Sequence, residues 1–105
     1  MIRHILLWQC TEQAKQQDPE EKRALLDGKF KAMIGKVDGL LDIRLSKNVN
    51  GGPYDWALEG LFCSMEAVKN YQTHPLHLEI QQMAKDWVTG RACVDVETEE
   101  TSICV

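Results

Sequence analysis

The chain has 105 residues, with 12 Lys plus Arg against 16 Asp plus Glu and a net charge of −4. That length suits one compact domain, and the acidic balance speaks against the basic face of a nucleic-acid binder. There is no run of 18 apolar residues and no cleavage-site pattern after "MIRHILLWQC", so neither a membrane span nor a secretory leader is expected, and the protein is expected in the cytoplasm.

Residues 2–9, "IRHILLWQ", read as the first strand. Ile2, His4, Leu6 and Trp8 alternate with Arg3, Ile5, Leu7 and Gln9, and both faces turn apolar toward the middle. Residues 11–17 read as a polar connection. A helix opens at "DPEEKR", where Asp18 is a good N-cap, Pro19 suits the first helical position and Glu21 lies three after the cap. Leu26, Phe30, Met33, Ile34 and Val37 follow at helical spacing, and Gly39 supplies the expected stop. "LLDIRLSKN", 40–48, reads as a second strand, with Leu41, Ile43 and Leu45 on its apolar face. After the "VNGGP" loop, residues 54–64 read as a third strand, with Tyr54, Trp56, Leu58 and Phe62 together on one face. Ser64 is placed to cap a short helix. Pro75 then starts another, with Leu76, Ile80, Met83, Ala84, Trp87 and Val88 in one stripe and Gly90 as its stop. "RACVDVE", 91–97, reads as the last strand, and 98–105 as an acidic then apolar tail.

The order strand, helix, strand, strand, helix, strand predicts a ferredoxin-like α+β domain, βαββαβ, with a four-stranded antiparallel sheet and helices on one face. The whole chain, 1–105, is expected to form this single domain, with its core over about 2–97. Two helices cover only one face of such a sheet. Ile5, Leu7, Leu61 and either Cys93 or Val94 put apolar material on the other. An open apolar sheet face in water is a liability, and a second copy of the chain, sheet against sheet, is the simplest cover. A homodimer through the sheet faces is therefore expected.

Cys10, Cys63, Cys93 and Cys104 lie far apart and form no CxxC pair. They support neither a zinc ribbon nor a thioredoxin-type motif, and without a secretion signal they are expected as free thiols. Cys63 and Cys93 fall in apolar strand patterns and are expected to behave as small hydrophobes.

"MIRHILLW", "GLLDIRLSKN" and "EAVKNYQTHPLH" together resemble the stress-responsive A/B barrel (Dabb) domain family over about residues 2–97. The most specific part is the Tyr-x-x-His-Pro-x-His segment. The resemblance implies a dimeric α/β barrel of two ferredoxin-like monomers. It also implies an activity for part of the family: a plant relative is a polyketide cyclase that closes a ring by intramolecular aldol condensation without a cofactor. The tyrosine and second histidine of that segment act there, which by motif are Tyr71 and His77, and the cavity-lining strand histidine falls on His4.

His77 has the pKa range for taking a proton beside a carbonyl, and the N-terminus of its helix disfavours the charged form. Tyr71 can hold a carbonyl or enolate oxygen through its hydroxyl. His4, Leu6, Trp8, Trp56, Leu58 and Ile80 are expected to line the hollow, with Phe62 beside them. An architectural reading stands next to this one: His74 as a helix cap, His77 bonded to backbone, Tyr71 as an edge residue, and the tryptophans filling the space. His74 is read as architecture in either case. No metal is expected, because His74 and His77 at i, i+3 across a proline have no carboxylate cluster beside them. No cofactor is expected either. The functional expectation is a cavity for a small apolar or carbonyl-bearing ligand, with cofactor-free cyclase or lyase chemistry. The alternatives are a non-enzymatic stress or scaffold homodimer, and a relative of the cofactor-independent monooxygenases and haem-binding barrels.

Overall fold

The computed structural model describes residues 1–99. Most of the acidic and apolar tail, Cys104 included, lies outside the described residues. The elements run β1 (Ile2–Cys10), α1 (Glu12–Gln16), α2 (Pro19–Lys31), β2 (Leu40–Lys47), β3 (Trp56–Phe62), α3 (Met65–Thr73), α4 (Pro75–Ala84) and β4 (Val88–Glu97). The strands form one antiparallel sheet in the order β2-β3-β1-β4, which is the ferredoxin-like arrangement. Among the described residues no helix is long and apolar enough to cross a membrane.

The caps do what their side chains favour. The Asp18 carboxylate accepts from the Glu21 N–H at 3.0 Å, with Pro19 at the first helical position. Asp18 itself sits at φ 56°, a left-handed conformation that Asp tolerates better than most residues. Ser64 accepts from the Ala67 N–H at 3.1 Å and opens α3. The connection after β1 is not plain loop: Thr11 accepts from the Ala14 N–H and turns residues 12–16 into a short helix, whose Ala14 is buried.

Several boundaries and registers differ from the sequence pattern: β3 covers only Trp56–Phe62, and β4 begins at Val88. Helix α2 stops at Lys31, and Met33 and Val37 reach the core from a succession of turns. Ile34, counted on the apolar face, is left exposed because the helical period has ended before it. In β2 the pairing with β3 slips between Leu40 and Asp42, so Leu40 enters the core in place of Leu41. Helix α4 ends at Ala84, six residues before Gly90. Gly90 lies inside β4 at φ 58°, where a Cβ would come within 2.1 Å of the Gln9 side-chain oxygen. It serves an irregularity in the β1–β4 pairing between Leu7 and Gln9 and does not stop a helix.

One face of the sheet packs under the helices. Leu6, Ile43, Leu45, Leu58 and Phe62 are buried there against Leu26, Phe30, Met33 and Val68 of the helical layer. Each such side chain contributes about 1.5–3 kcal/mol of burial. The opposite face presents Ile5, Leu7 and Leu61 half-buried, and beside them Val94 and Val96, exposed at 50% and 39%. Cys93 is on the helical side, in register with Leu6, so Val94 is the member of that pair on the open face. Cys63, expected as a free thiol, is disulfide-bonded, whereas Cys10 and Cys93 are free.

Candidate functional site

A cavity of about 580 Å³ lies between the sheet and the helical layer. Its floor is β1 and β4, and its walls come from α2, α3 and α4. The strand order explains the place. β4 is an edge strand, and the helical layer packs chiefly over β2 and β3, so the space above β1 and β4 stays open. Exposed Gln81 and Arg91 form part of the lining, which puts the mouth at the surface.

His4, Tyr71 and His77 all line this cavity, as do Leu6, Trp8 and Ile80. Trp56 and Leu58, expected with them, do not. The physical reason is again strand order: β3 is separated from β4 by β1 and runs under the closed part of the core. Leu58 is fully buried there, and Trp56, also buried, lines a separate pocket with Cys10, Lys15 and Pro19. The two tryptophans leave the cavity unplugged. Phe62 lies behind the site, with its ring centroid 5.1 Å from Tyr71 and 6.1 Å from His4.

Tyr71 is on the last turns of α3 and His77 in the first turn of α4, joined by the break at His74–Pro75. His74 caps α4: its Nδ1 accepts from the Leu76 N–H at 3.1 Å. That kink brings the Tyr71 and His77 rings to 4.3 Å between centroids. Tyr71 is 1% exposed, and its buried hydroxyl has no hydrogen-bond partner among the described residues. Burial pushes its pKa well above the ordinary value, and the Arg91 charge offsets only part of this. It is a neutral donor at any working pH.

His77 Nδ1 lies 3.0 Å from the Gln72 carbonyl oxygen. A carbonyl only accepts, so Nδ1 carries the proton and Nε2 holds the free lone pair. Burial lowers the His77 pKa; the Gln72 contact works against this, and His4 and Arg91 add to the lowering. The direction agrees with the helix-start expectation, but the larger cause is desolvation. The imidazole is neutral at pH 7.

His4 is 2% exposed, and its Nδ1 is 2.6 Å from Asp95 Oδ1 on β4. The carboxylate fixes the ring as a neighbour strand would: His4 and Asp95 are register partners. Cys93 Sγ is 3.9 Å from the same nitrogen. The ligand atoms of His4, Cys93 and Asp95 lie within 4.8 Å of one another, a donor set able to approach a cation. As folded, however, they are joined as hydrogen-bond donor and acceptors. Burial and the Asp95 charge also raise the Cys93 pKa, which disfavours the thiolate a metal would take. Asp95, Arg91, Gln72 and Gln81 were not legible as site residues. They belong to a strand read only for its alternation and to helix positions that look like ordinary polar surface.

The family model described as the stress responsive A/B barrel domain matches residues 2–98. No curated protein matches the chain. Among solved structures, a dimeric ferredoxin-like protein from Bacteroides fragilis NCTC 9343 is 28% identical, with 92% of this chain and 95% of that one covered and a TM-score of 0.72. At3g17210 from Arabidopsis thaliana is 21% identical over 98% of this chain and 100% of that chain, with a TM-score of 0.75. A hydroxynitrile lyase from Passiflora edulis is 13% identical over 97% and 96% of the two chains, with a TM-score of 0.73.

Proposed function

Because this chain belongs to the stress responsive A/B barrel domain family, we propose that its cavity binds a small apolar or carbonyl-bearing molecule and supports cofactor-free cyclase or lyase chemistry, with His77 as base and Tyr71 as polarising donor. The observation that carries the reading is the Tyr71 hydroxyl. Tyr71 lines the open cavity, and its buried hydroxyl has no partner among the described residues, which costs stability and suits it to a ligand oxygen.

The chemistry follows from the two protonation states. His77 Nε2 takes a proton from the carbon beside a carbonyl. The developing enolate oxygen accepts a hydrogen bond from the Tyr71 hydroxyl. In a cyclase the enolate carbon attacks a second carbonyl of the same molecule, and the new alkoxide recovers the proton from the His77 imidazolium. The low His77 pKa keeps the base free at neutral pH but makes it a weaker base. Stabilisation of the enolate by Tyr71 must then carry more of the barrier. The Asp95 carboxylate holds His4 by Nδ1 on the facing wall, leaving the ring as a second polar contact for the ligand. The lyase from Passiflora edulis speaks for the fold alone at its level of identity.

The open sheet face supports a second part of the reading, a homodimer. Ile5, Leu7 and Leu61 form an apolar centre, with Arg3, Asp42, Arg44 and Glu59 in the same sheet. Mixed charges of this kind suit a self-complementary two-fold contact. The relative from Bacteroides fragilis is described as dimeric.

A thermal-shift screen of small ketones and aromatic carbonyl compounds tests the cavity reading. Wild type should be stabilised by a carbonyl ligand, and Tyr71→Phe and His77→Ala should lose that stabilisation. If no carbonyl compound at millimolar concentration shifts wild type, or both variants respond like wild type, the non-enzymatic homodimer is the better account.

A further inference from the structure

Among the described residues, the cavity wall carries a single formally charged side chain. Arg91 of β4 reaches it, and no Asp or Glu lines it among the described residues, in a chain with 16 acidic residues. Among the described residues Arg91 has no ion-pair partner. Asp95 shares its face of the strand, but four residues at a strand rise put it about 13 Å along. Its carboxylate is already engaged at 2.6 Å with His4. The guanidinium charge is felt inside the cavity, where it lowers the pKa of both Tyr71 and His77.

We propose that the cavity is built for a keto acid: Arg91 at the mouth pairs with the ligand's carboxylate while Tyr71 donates to its carbonyl oxygen. The inference rests on the cavity reading above and adds the charge of the ligand. An unpaired arginine at the edge of an apolar pocket is a selector for an anionic group. One guanidinium offers two parallel N–H donors, which match the two oxygens of a carboxylate. A phosphate dianion would call for more cationic partners than this wall supplies. The apolar side chains Leu6, Trp8, Phe30 and Ile80 would hold a hydrocarbon or aryl body between the two polar ends. Exposed Gln72 and Gln81 add neutral donors and acceptors beside it and no competing charge.

The test compares 4-oxo-4-phenylbutanoate with its neutral amide, 4-oxo-4-phenylbutanamide, by isothermal titration on wild type, Arg91→Gln and Tyr71→Phe. Arg91 is exposed, so its replacement leaves the core intact. Wild type should bind the keto acid about tenfold tighter than the amide. Arg91→Gln should erase that preference and leave the amide affinity within about twofold of wild type, while Tyr71→Phe should weaken both probes. Added salt should weaken the keto acid selectively. Equal binding of acid and amide by wild type, or a preference that survives in Arg91→Gln, overturns the role given to Arg91. If the amide still binds in a Tyr71-dependent way, the cavity reading stands without it. Tighter binding of phenyl phosphate than of the keto acid overturns the choice of carboxylate. If neither probe binds, both readings fall together.

Discussion

Replacing Tyr71 by Phe should make the ligand-free protein more stable. The side chain is 1% exposed and its hydroxyl has no hydrogen-bond partner among the described residues. An unsatisfied buried polar group costs about 1–3 kcal/mol. Deleting one oxygen leaves the ring contacts with Phe62 and His77 in place, at 5.1 and 4.3 Å between centroids. It opens a void of about 15 Å³, worth roughly 0.4 kcal/mol at about 24 cal/mol per Å³. The balance favours the variant by about 0.5–2.5 kcal/mol. For a domain of this size, each kcal/mol corresponds to a rise of about 4–8 °C in Tm. Urea unfolding of both proteins at one fixed protomer concentration reads this directly, since association would otherwise shift the apparent stability. A Tyr71→Phe protein less stable than wild type by 1 kcal/mol or more would show that the hydroxyl has a partner in the free protein. The argument that it waits for a ligand would then fail. A residue that costs stability and is kept for binding is the pattern expected of a functional group.

The lowered His77 pKa also has a consequence for stability. Below the ordinary histidine pKa of 6.5 the unfolded chain binds a proton that the folded His77 resists, so this contribution is lost as pH falls from about 6.5 toward the folded value. Unfolding free energies between pH 7 and pH 5 should fall less steeply in His77→Gln; an unchanged slope would refute the depressed pKa. Ile5→Asp should place a charge at the centre of the open sheet face and halve the mass read by light scattering at micromolar concentration, while circular dichroism stays native. An unchanged mass would locate the dimer contact elsewhere, and a wild-type monomer would refute the dimer itself. His74→Ala removes the acceptor for the Leu76 N–H and should cost about 0.5–2 kcal/mol in urea unfolding, with no gain or loss of charge in the cavity. A neutral effect would mean that Pro75 alone sets the start of α4.

Much of this molecule is written in local chemistry. Asp18–Pro19, Ser64 and His74–Pro75 announce helix starts because their side chains satisfy N–H groups only a few residues away. The period-two pattern of β1 and β3 gives the sheet its two faces for the same reason: neighbouring side chains must point to opposite sides. His4, Tyr71 and His77 could be brought together through a family resemblance and a strand phase. All three line one cavity. Other features depend on contacts between distant segments and leave no local trace. The slip at Leu40 and the irregularity at Gly90 are matters of strand pairing. Trp56 and Leu58 look like cavity residues by alternation, yet the placement of β3 on the far side of β1 from β4 removes them from it. The His4–Asp95 bond spans 91 positions, and the approach of Arg91 to the ring pair Tyr71–His77 crosses from an edge strand to two helices. Spacing can say which face a residue occupies. Which faces meet, and which charge is left without a partner where they meet, is settled by the order of strands in the sheet and the path of the helices over it.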